Sequence, residues 1–211
     1  MAIQAFSAQV GALLGISATT LSSIQSDLDT WLNNGYKEIV NILPPYMYDS
    51  IATETDTADA TSLQNLTTTK VLSVMRMSPS GYKTCRPVTS DMRGRIEDED
   101  DLHYATEDDP VWFWGSLGNL TVKPNSSDML VRYINYPINL DASADNDVAN
   151  LPDEAEPALV LYVAIKAGEY LLANEEDMEL LTPVIGNLKD DYMRSVNALN
   201  GLTTTQQGAR G

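Results

Sequence analysis

The chain has 211 residues, enough to bury a sizeable hydrophobic core in one medium domain or in a core domain with an insertion. Thirty acidic residues against thirteen basic residues give a formal net charge of −17. This balance argues against a protein that reads nucleic acid, because affinity for phosphates comes mainly from clustered Lys and Arg. The N-terminus lacks the features of a signal peptide and the apolar runs are too short to span a bilayer, so we expect a soluble, non-secreted protein.

Residues 1–48 are predicted to form the N-terminal helical part of a bundle. Apolar side chains recur at steps of three and four residues from Leu21 to Leu43, which places them on one helical face. Pro44-Pro45 ends this helix. Gly35 in its middle indicates either a bend or a close approach of another backbone.

A β-rich insertion is predicted between residues 70 and 137. The preceding segment, 49–69, is rich in Thr, Asp and Ala and is predicted to be a loop or linker. Within the insertion, short apolar segments alternate with turn residues such as Gly, Pro and Asn, a pattern typical of antiparallel strands. An acidic block, residues 96–110, precedes the last three of these segments.

Residues 138–199 are predicted to return to helix and complete the bundle. In "LPDEAEPALVLYVAIKAGEYLLA" (151–173), apolar side chains cover roughly 260° of the circumference, against about 100° for a surface helix. Such a helix is either the central helix of its own bundle or partly packed on another subunit, and the sequence leaves both alternatives open. Residues 200–211 have no apolar face and are predicted to form an extended tail. The predicted fold class is therefore α+β: a bundle of N- and C-terminal helices with an inserted antiparallel β-rich module and an extended C-terminal tail.

Three segments resemble bacteriophage head-to-tail adaptor proteins, which are also called neck or connector proteins. They are the apolar helix just quoted, the Trp-containing helix "LDTWLNNGYKEIVNILPP" (28–45) and the meander "DPVWFWGSLGNLTVKPNSSDMLVRYINYP" (109–137). The resemblance implies a structural protein of the virion neck, assembled in the host cytoplasm as a homo-oligomeric ring, commonly of twelve copies. It implies a ring that docks on the portal protein and connects it to the tail or to the next neck protein. DNA would pass through the channel without sequence-specific binding, and no membrane contact is implied.

The resemblance and the residue pattern together predict three sets of contact residues. The residues predicted to lie between subunits are Leu159, Val163, Ala167, Leu171, Trp112 and Trp114. The residues of the tail predicted to bind the portal are Leu202, Thr203, Gln206, Gln207 and Arg210. The residues predicted to face the channel, where negative charge would keep DNA from sticking, are Glu97, Asp98, Glu99, Asp100 and Asp101.

No catalytic residue, cofactor or metal site is predicted, and we expect the protein not to be an enzyme. The chain has one His, His103, and one Cys, Cys85, and nothing around Cys85 indicates an activated thiolate. Two other functions stay open: another phage structural role, as a tail completion or decoration protein, and a soluble sugar- or calcium-binding module. Trp112 and Trp114, which alternation places on the same face of a strand, could stack on a sugar, and the acidic block could bind Ca²⁺.

Overall fold

The computed structural model describes residues 5–58, 62–63, 69–115, 118–125, 128–136, 140–143, 151–174 and 178–207. It divides the chain into two compact units. The helical unit comprises Met1–Ile51 and Pro137–Gly211, and the β unit, Ala52–Tyr136, is inserted between these two parts of the sequence. Helices together with antiparallel and mixed sheets confirm the predicted α+β fold class.

The described residues of the helical unit form five α-helices. They are α1 (Phe6–Leu14), α2 (Ala18–Ser23), α3 (Gln25–Ile42), α5 (Glu156–Ala173) and α6 (Met178–Gln207), whereas the short α4 (Arg93–Ile96) belongs to the β unit. A 3-10 helix, Pro45–Ser50, follows α3. The predicted face from Leu21 to Leu43 is buried, but it runs across two helices, because Ile24 leaves helical geometry (φ −115°, ψ 20°) and separates α2 from α3.

The apolar helix α5 is the central helix of its own unit. Three helices of the same chain, α1, α3 and α6, contact it. Half of its eighteen residues are buried: Ala158, Leu159, Val160, Val163, Ala164, Ile165, Ala167, Gly168 and Leu171. Of the two alternatives that the sequence left open, the structure therefore shows the first.

The C-terminal helix α6 is longer than predicted. It runs without interruption from Met178 to Gln207 and includes Pro183 near its start. The prediction of an extended tail from residue 200 is corrected for residues 201–207, whose backbone is helical. Residues 208–211 lie outside the described residues.

The β unit contains two four-stranded sheets. The strands are β1 (Thr53–Ala58), β2 (Ser62–Leu63), β3 (Thr69–Ser78), β4 (Gly81–Thr84), β5 (Arg86–Pro87), β6 (Val111–Trp114), β7 (Leu120–Lys123) and β8 (Asp128–Asn135). One sheet has the order β1-β8-β3-β4 and the other β2-β7-β6-β5. Two features differ from the prediction. The supposed linker 49–69 contributes strands β1 and β2, of which β1 pairs with β8 along its whole length, and β5 pairs with β6 in parallel.

Two apolar clusters stabilise the β unit. The larger one contains side chains from both sheets, among them Val74 and Val131 of the first and Leu120 and Val122 of the second. The smaller one joins Val111 and Phe113 of β6 to Ile96 and Ala105. Trp112 packs against the larger cluster, so β6 alternates as predicted, with Trp112 and Phe113 on opposite faces.

Candidate interaction surfaces

The four residues of α5 that were predicted to lie between subunits are part of the chain's own core. Leu159, Val163 and Ala167 have no exposed surface, and Leu171 is 3% exposed. No side-chain surface is therefore left on them for a neighbouring subunit. The interface prediction is corrected for these four residues, because α1, α3 and α6 already cover the faces that it assigned to another copy.

The aromatic strand β6 keeps one of its two tryptophans accessible. The rings of Trp112 and Trp114 meet edge to face, with centroids 5.9 Å apart and an interplanar angle of 82°. Trp112 is half-buried against the cluster between the sheets, whereas Trp114 is 38% exposed. This perpendicular pair is not the flat platform on which a sugar ring stacks. Trp114 stays a predicted contact residue.

Four of the five residues predicted to bind the portal lie at the end of α6. Leu202, Thr203, Gln206 and Gln207 lie on the helical backbone of α6. Arg210 lies outside the described residues.

Residues 97–109 form an acidic loop between α4 and β6. Glu97 at its start pairs with Lys123 (3.1 Å) and with Arg93 (3.6 Å), and Asp101 pairs with Arg95 (2.9 Å). The hydrogen bond from Lys123 lowers the pKa of Glu97, and that from Arg95 lowers the pKa of Asp101. Two of the five carboxylates predicted to face the channel are thus partly neutralised by neighbouring cations.

The end of the acidic loop is held by basic side chains from three successive strands. Glu107 pairs with Arg76 of β3 at 3.7 Å, Asp108 with Lys83 of β4 at 3.5 Å and Asp109 with Arg86 of β5 at 2.9 Å. We did not predict these ion pairs. The sequence pattern that could have predicted them is one basic residue in each of three successive strands, together with a run of three carboxylates.

Arg76 is the buried member of this group. Arg76 is only 5% exposed. Its guanidinium donates hydrogen bonds to the carbonyl oxygens of Pro124 (2.9 Å) and Asn125 (3.2 Å). It therefore ties strand β3 of the first sheet to the segment that follows β7 of the second sheet. Its Nη1 atom is buried with no hydrogen-bond partner among the described residues.

The middle of the acidic loop is exposed but locally ordered. Asp98 accepts a hydrogen bond from the backbone N–H of Asp100, and Asp101 accepts one from that of His103. Leu102 is 100% exposed. Within the described part of the chain, Asp98, Glu99 and Asp100 form no ion pair. The three carboxylates and the leucine are therefore exposed side chains of this loop.

A second surface feature, the polar groove, lies on the helical unit. It has a volume of about 280 Å³ and is lined by Glu38, Tyr162, Ile165, Lys166, Glu169, Lys189 and Tyr192. Sequence periodicity places Tyr162, Lys166 and Glu169 on the one polar stripe of α5.

The charged groups of the polar groove form pairs across three helices. Glu169 of α5 binds Lys166 at 3.2 Å and Lys189 of α6 at 2.9 Å, and the hydrogen bond from Lys189 lowers the pKa of Glu169. Tyr192 of α6 donates to Glu38 of α3 at 3.2 Å. Burial, reinforced by the charge of Glu38, raises the pKa of Tyr192 to about 12, so this phenol remains a hydrogen-bond donor at neutral pH.

The negative charge of the chain is concentrated in the helical unit. This unit has 17 acidic and 5 basic residues, a net charge of −12, whereas the β unit has 13 acidic and 8 basic residues, a net charge of −5. Two of the five basic residues of the helical unit, Lys166 and Lys189, line the polar groove. The groove is therefore a locally neutral area on a strongly negative unit.

The Cys85 thiol and the possible metal ligands were the candidate chemical groups of the sequence. Burial raises the pKa of the Cys85 thiol to about 12, so it is not a thiolate at neutral pH. Among the described residues, no three His, Cys, Asp or Glu side chains group so that they could hold a metal ion.

Comparison with known proteins identifies a family. Residues 1–210 match the model of the SU10 adaptor protein family. No curated protein matches the chain. None of the described helices is both long and apolar enough to cross a membrane. Because the family match covers nearly all of the sequence, the chain belongs to the SU10 adaptor protein family and is a structural adaptor of a bacteriophage virion, where it interacts with other virion proteins.

Proposed function

We propose that this adaptor is a non-enzymatic head-to-tail connector that forms a homo-oligomeric ring, of twelve copies, between the portal and the tail or the next neck protein. The observation that carries the proposal is the family match over residues 1–210. The resemblance of the helix 151–173, the helix 28–45 and the meander 109–137 to head-to-tail adaptors points to the same role.

The end of α6 is the proposed portal-binding arm. With 30 residues, α6 is roughly 45 Å long, whereas α5 with 18 residues is roughly 27 Å long. A helix that exceeds its main packing partner by this length has an end on which a partner protein can bind. Residues 202–207 of this arm are helical, so we propose that the arm binds as a helix rather than as an extended strand.

The net charge of −17 supports a channel through which DNA passes without binding. Repulsion between exposed carboxylates and the phosphate backbone would keep packaged DNA mobile in the ring. Because the helical unit has a net charge of −12, we expect it to contribute more of this repulsion than the β unit.

The experiment that tests this function is reconstitution with the portal protein of the same phage. We expect the purified chain to bind the portal in several copies, as counted by native mass spectrometry, and to appear as a ring in electron micrographs of the complex. Deleting residues 202–211 should abolish binding, whereas a variant with these ten residues in scrambled order controls for length and composition and should bind weakly. A wild-type chain that does not bind the portal contradicts the proposal.

A further inference from the structure

The acidic loop is held in one conformation at both of its ends. Glu97 and Asp101 are fixed by Lys123 and Arg95 at 3.1 and 2.9 Å, and residues 107–109 are fixed by cations from β3, β4 and β5. A loop that is already ordered loses little conformational entropy when it binds. This favours binding to a partner over free movement in solvent.

The part of the loop between these fixed ends combines one apolar side chain with negative charge. Leu102 is 100% exposed, and the carboxylates of Asp98, Glu99 and Asp100 shortly precede it in the sequence. The complementary surface is a small apolar pocket that has cations at its rim.

The polar groove on the helical unit offers both features, apolar ring surface and two lysines, beside the carboxylates of Glu38 and Glu169. The rings of Tyr162 and Tyr192 lie with centroids 6.2 Å apart and, with Ile165, provide apolar surface. Lys166 and Lys189 lie at the rim, where their side chains are 41% and 54% exposed. Each ammonium group has three N–H donors, and Glu169 occupies one donor of each, so both lysines can bind a further carboxylate.

We propose that the acidic loop of one copy binds in the polar groove of the next copy, with Leu102 packed against the exposed surface of the tyrosine rings and Asp98, Glu99 and Asp100 at Lys166 and Lys189. This contact joins two different surfaces of the same protein, the head-to-tail arrangement that produces a ring when the rotation closes. The inference rests on the proposed function, because it needs copies that assemble. It assigns the three loop carboxylates to a subunit contact instead of to the channel.

A second copy is the occupant that the charges favour. Each copy has a net charge of −17, so copies repel each other unless they meet where one of them presents cations. In the polar groove, Lys166 and Lys189 balance Glu38 and Glu169, so this area is locally neutral on a helical unit of net charge −12 and repels a negative loop less than the rest of that unit does. The same chain supplies a rigid, negative loop that has an exposed leucine, so both halves of the contact are present in every copy.

The first test replaces the leucine, whose full exposure makes a folding defect unexpected. We expect Leu102→Ser to weaken association between copies, measured by analytical ultracentrifugation and by the number of copies per portal, by about tenfold or more. Leu180→Ser, which changes another exposed leucine (61%), is the matched control and should assemble like the wild type.

The second test exchanges the charges. A loop variant (Asp98→Lys, Glu99→Lys, Asp100→Lys) and a groove variant (Lys166→Glu, Lys189→Glu) should each fail to assemble alone, because like charges then meet. When the two variants are mixed, every contact again joins opposite charges, and assembly should return. Recovery on mixing also shows that both variants are folded.

Three results would overturn the inference. In the first, Leu102→Ser and the loop variant assemble like the wild type, so the ring forms without this contact and the proposed function stands. In the second, both variants fail alone and do not recover when mixed. In the third, the wild type binds the portal only as separate single copies. A wild type that does not bind the portal at all would remove the proposed function as well.

Discussion

Gly35 of α3 and Tyr162 of α5 approach so closely that a Cβ atom on Gly35 would lie 2.6 Å from Cδ1 of the tyrosine ring. The same atom would lie 2.8 Å from Cδ1 of Leu159, which is fully buried. The glycine is therefore present for helix packing, but it makes room for side chains of α5 and not, as its position in the sequence had indicated, for another backbone. The close approach of α3 helps to bury the central helix.

We predict that Gly35→Ala lowers the free energy of unfolding by about 1–2 kcal/mol. Overpacking costs about 1–3 kcal/mol, and the better helix propensity of Ala returns up to about 1 kcal/mol. Gly186 of α6 is the matched control, because a Cβ atom there meets nothing within 4 Å. Gly186→Ala should raise stability by up to about 1 kcal/mol. Urea denaturation of both variants measures the difference, and equal effects would contradict the packing role of Gly35.

A second prediction concerns α5 in the isolated chain. Leu159→Ala should lower the free energy of unfolding by about 2–5 kcal/mol, because the leucine is fully buried within one copy. Leu180→Ala, at a largely exposed position, should change it by less than about 0.5 kcal/mol. Chemical denaturation of the single chain, without portal, measures both. A Leu159→Ala chain that is as stable as the wild type would show that another copy, and not the chain itself, buries this side chain.

The third prediction separates the contributions of Arg76, which is buried, and Glu107, its exposed ion-pair partner. Arg76→Leu should cost about 1–3 kcal/mol, since it removes the donors to the carbonyl oxygens of Pro124 and Asn125. Glu107→Gln should cost less than about 1 kcal/mol, because its carboxylate is 64% exposed and 3.7 Å from the guanidinium. Thermal denaturation of both variants shows which substitution lowers stability more. A larger loss of stability for Glu107→Gln would show that the ion pair with Glu107, and not the hydrogen bonds to the two carbonyl oxygens, is the more important contact of Arg76.

The fourth prediction is a pH dependence. Because its partners lower the pKa of Glu169 below the ordinary 4.5, the unfolded chain takes up this proton first as the pH falls. The stability from this carboxylate is complete above pH 4.5 and is lost as the pH falls through its folded-state pKa. Lys189→Met should therefore reduce the loss of stability between pH 5 and pH 3, measured by denaturation at low salt.

Lys37→Met provides the control for this pH dependence. Like Lys189→Met, this substitution removes one positive charge, here from α3, but it leaves both lysine partners of Glu169 in place. Its stability should fall with acid as steeply as that of the wild type. If Lys189→Met also kept the wild-type dependence, Glu169 would not be a source of acid sensitivity.

The fifth prediction compares neighbouring aromatics of β6. Phe113→Ala should cost about 3–5 kcal/mol of stability, since the ring is 3% exposed in the smaller cluster. Trp114→Ala should cost about 1 kcal/mol, because this ring is 38% exposed. If Trp114 contacts another copy as predicted, the variant should load onto the portal at least about tenfold more weakly. Loading at the wild-type level would remove Trp114 from the interface.

Where one face of a helix or strand is buried, the spacing of its apolar residues was enough to predict which side chains are buried. The three- and four-residue spacing from Leu21 to Leu43 identified side chains that are buried in the structure. The same spacing is present in α1, where Phe6, Val10 and Leu14 lie four residues apart and are buried. The sequence prediction lacks this helix, so it has one helix too few around α5 and assigns part of the wide apolar surface of α5 to another subunit. The error in the interface residues follows from this missing helix.

Other features depend on contacts that are distant in sequence. The strand β1 has the sequence Thr-Glu-Thr-Asp-Thr-Ala, whose composition is that of a loop, and it is a strand because it pairs with β8 some 75 residues later. The ion pairs of the acidic loop likewise depend on the order of strands in two sheets. Local composition could identify the negative charge of this loop but not the cations that hold it.

The pairing of β1 with β8 also bears on how the chain can be altered. Thr53, where the β unit begins, is the register partner of Tyr133, close to where it ends. Register partners in antiparallel strands have Cα atoms about 5 Å apart, so a bridge of a few Gly and Ser residues could replace everything between them. The β unit is therefore a cassette that can be excised, or exchanged for the corresponding segment of a related adaptor, while the ends left in the helical unit remain close enough to join.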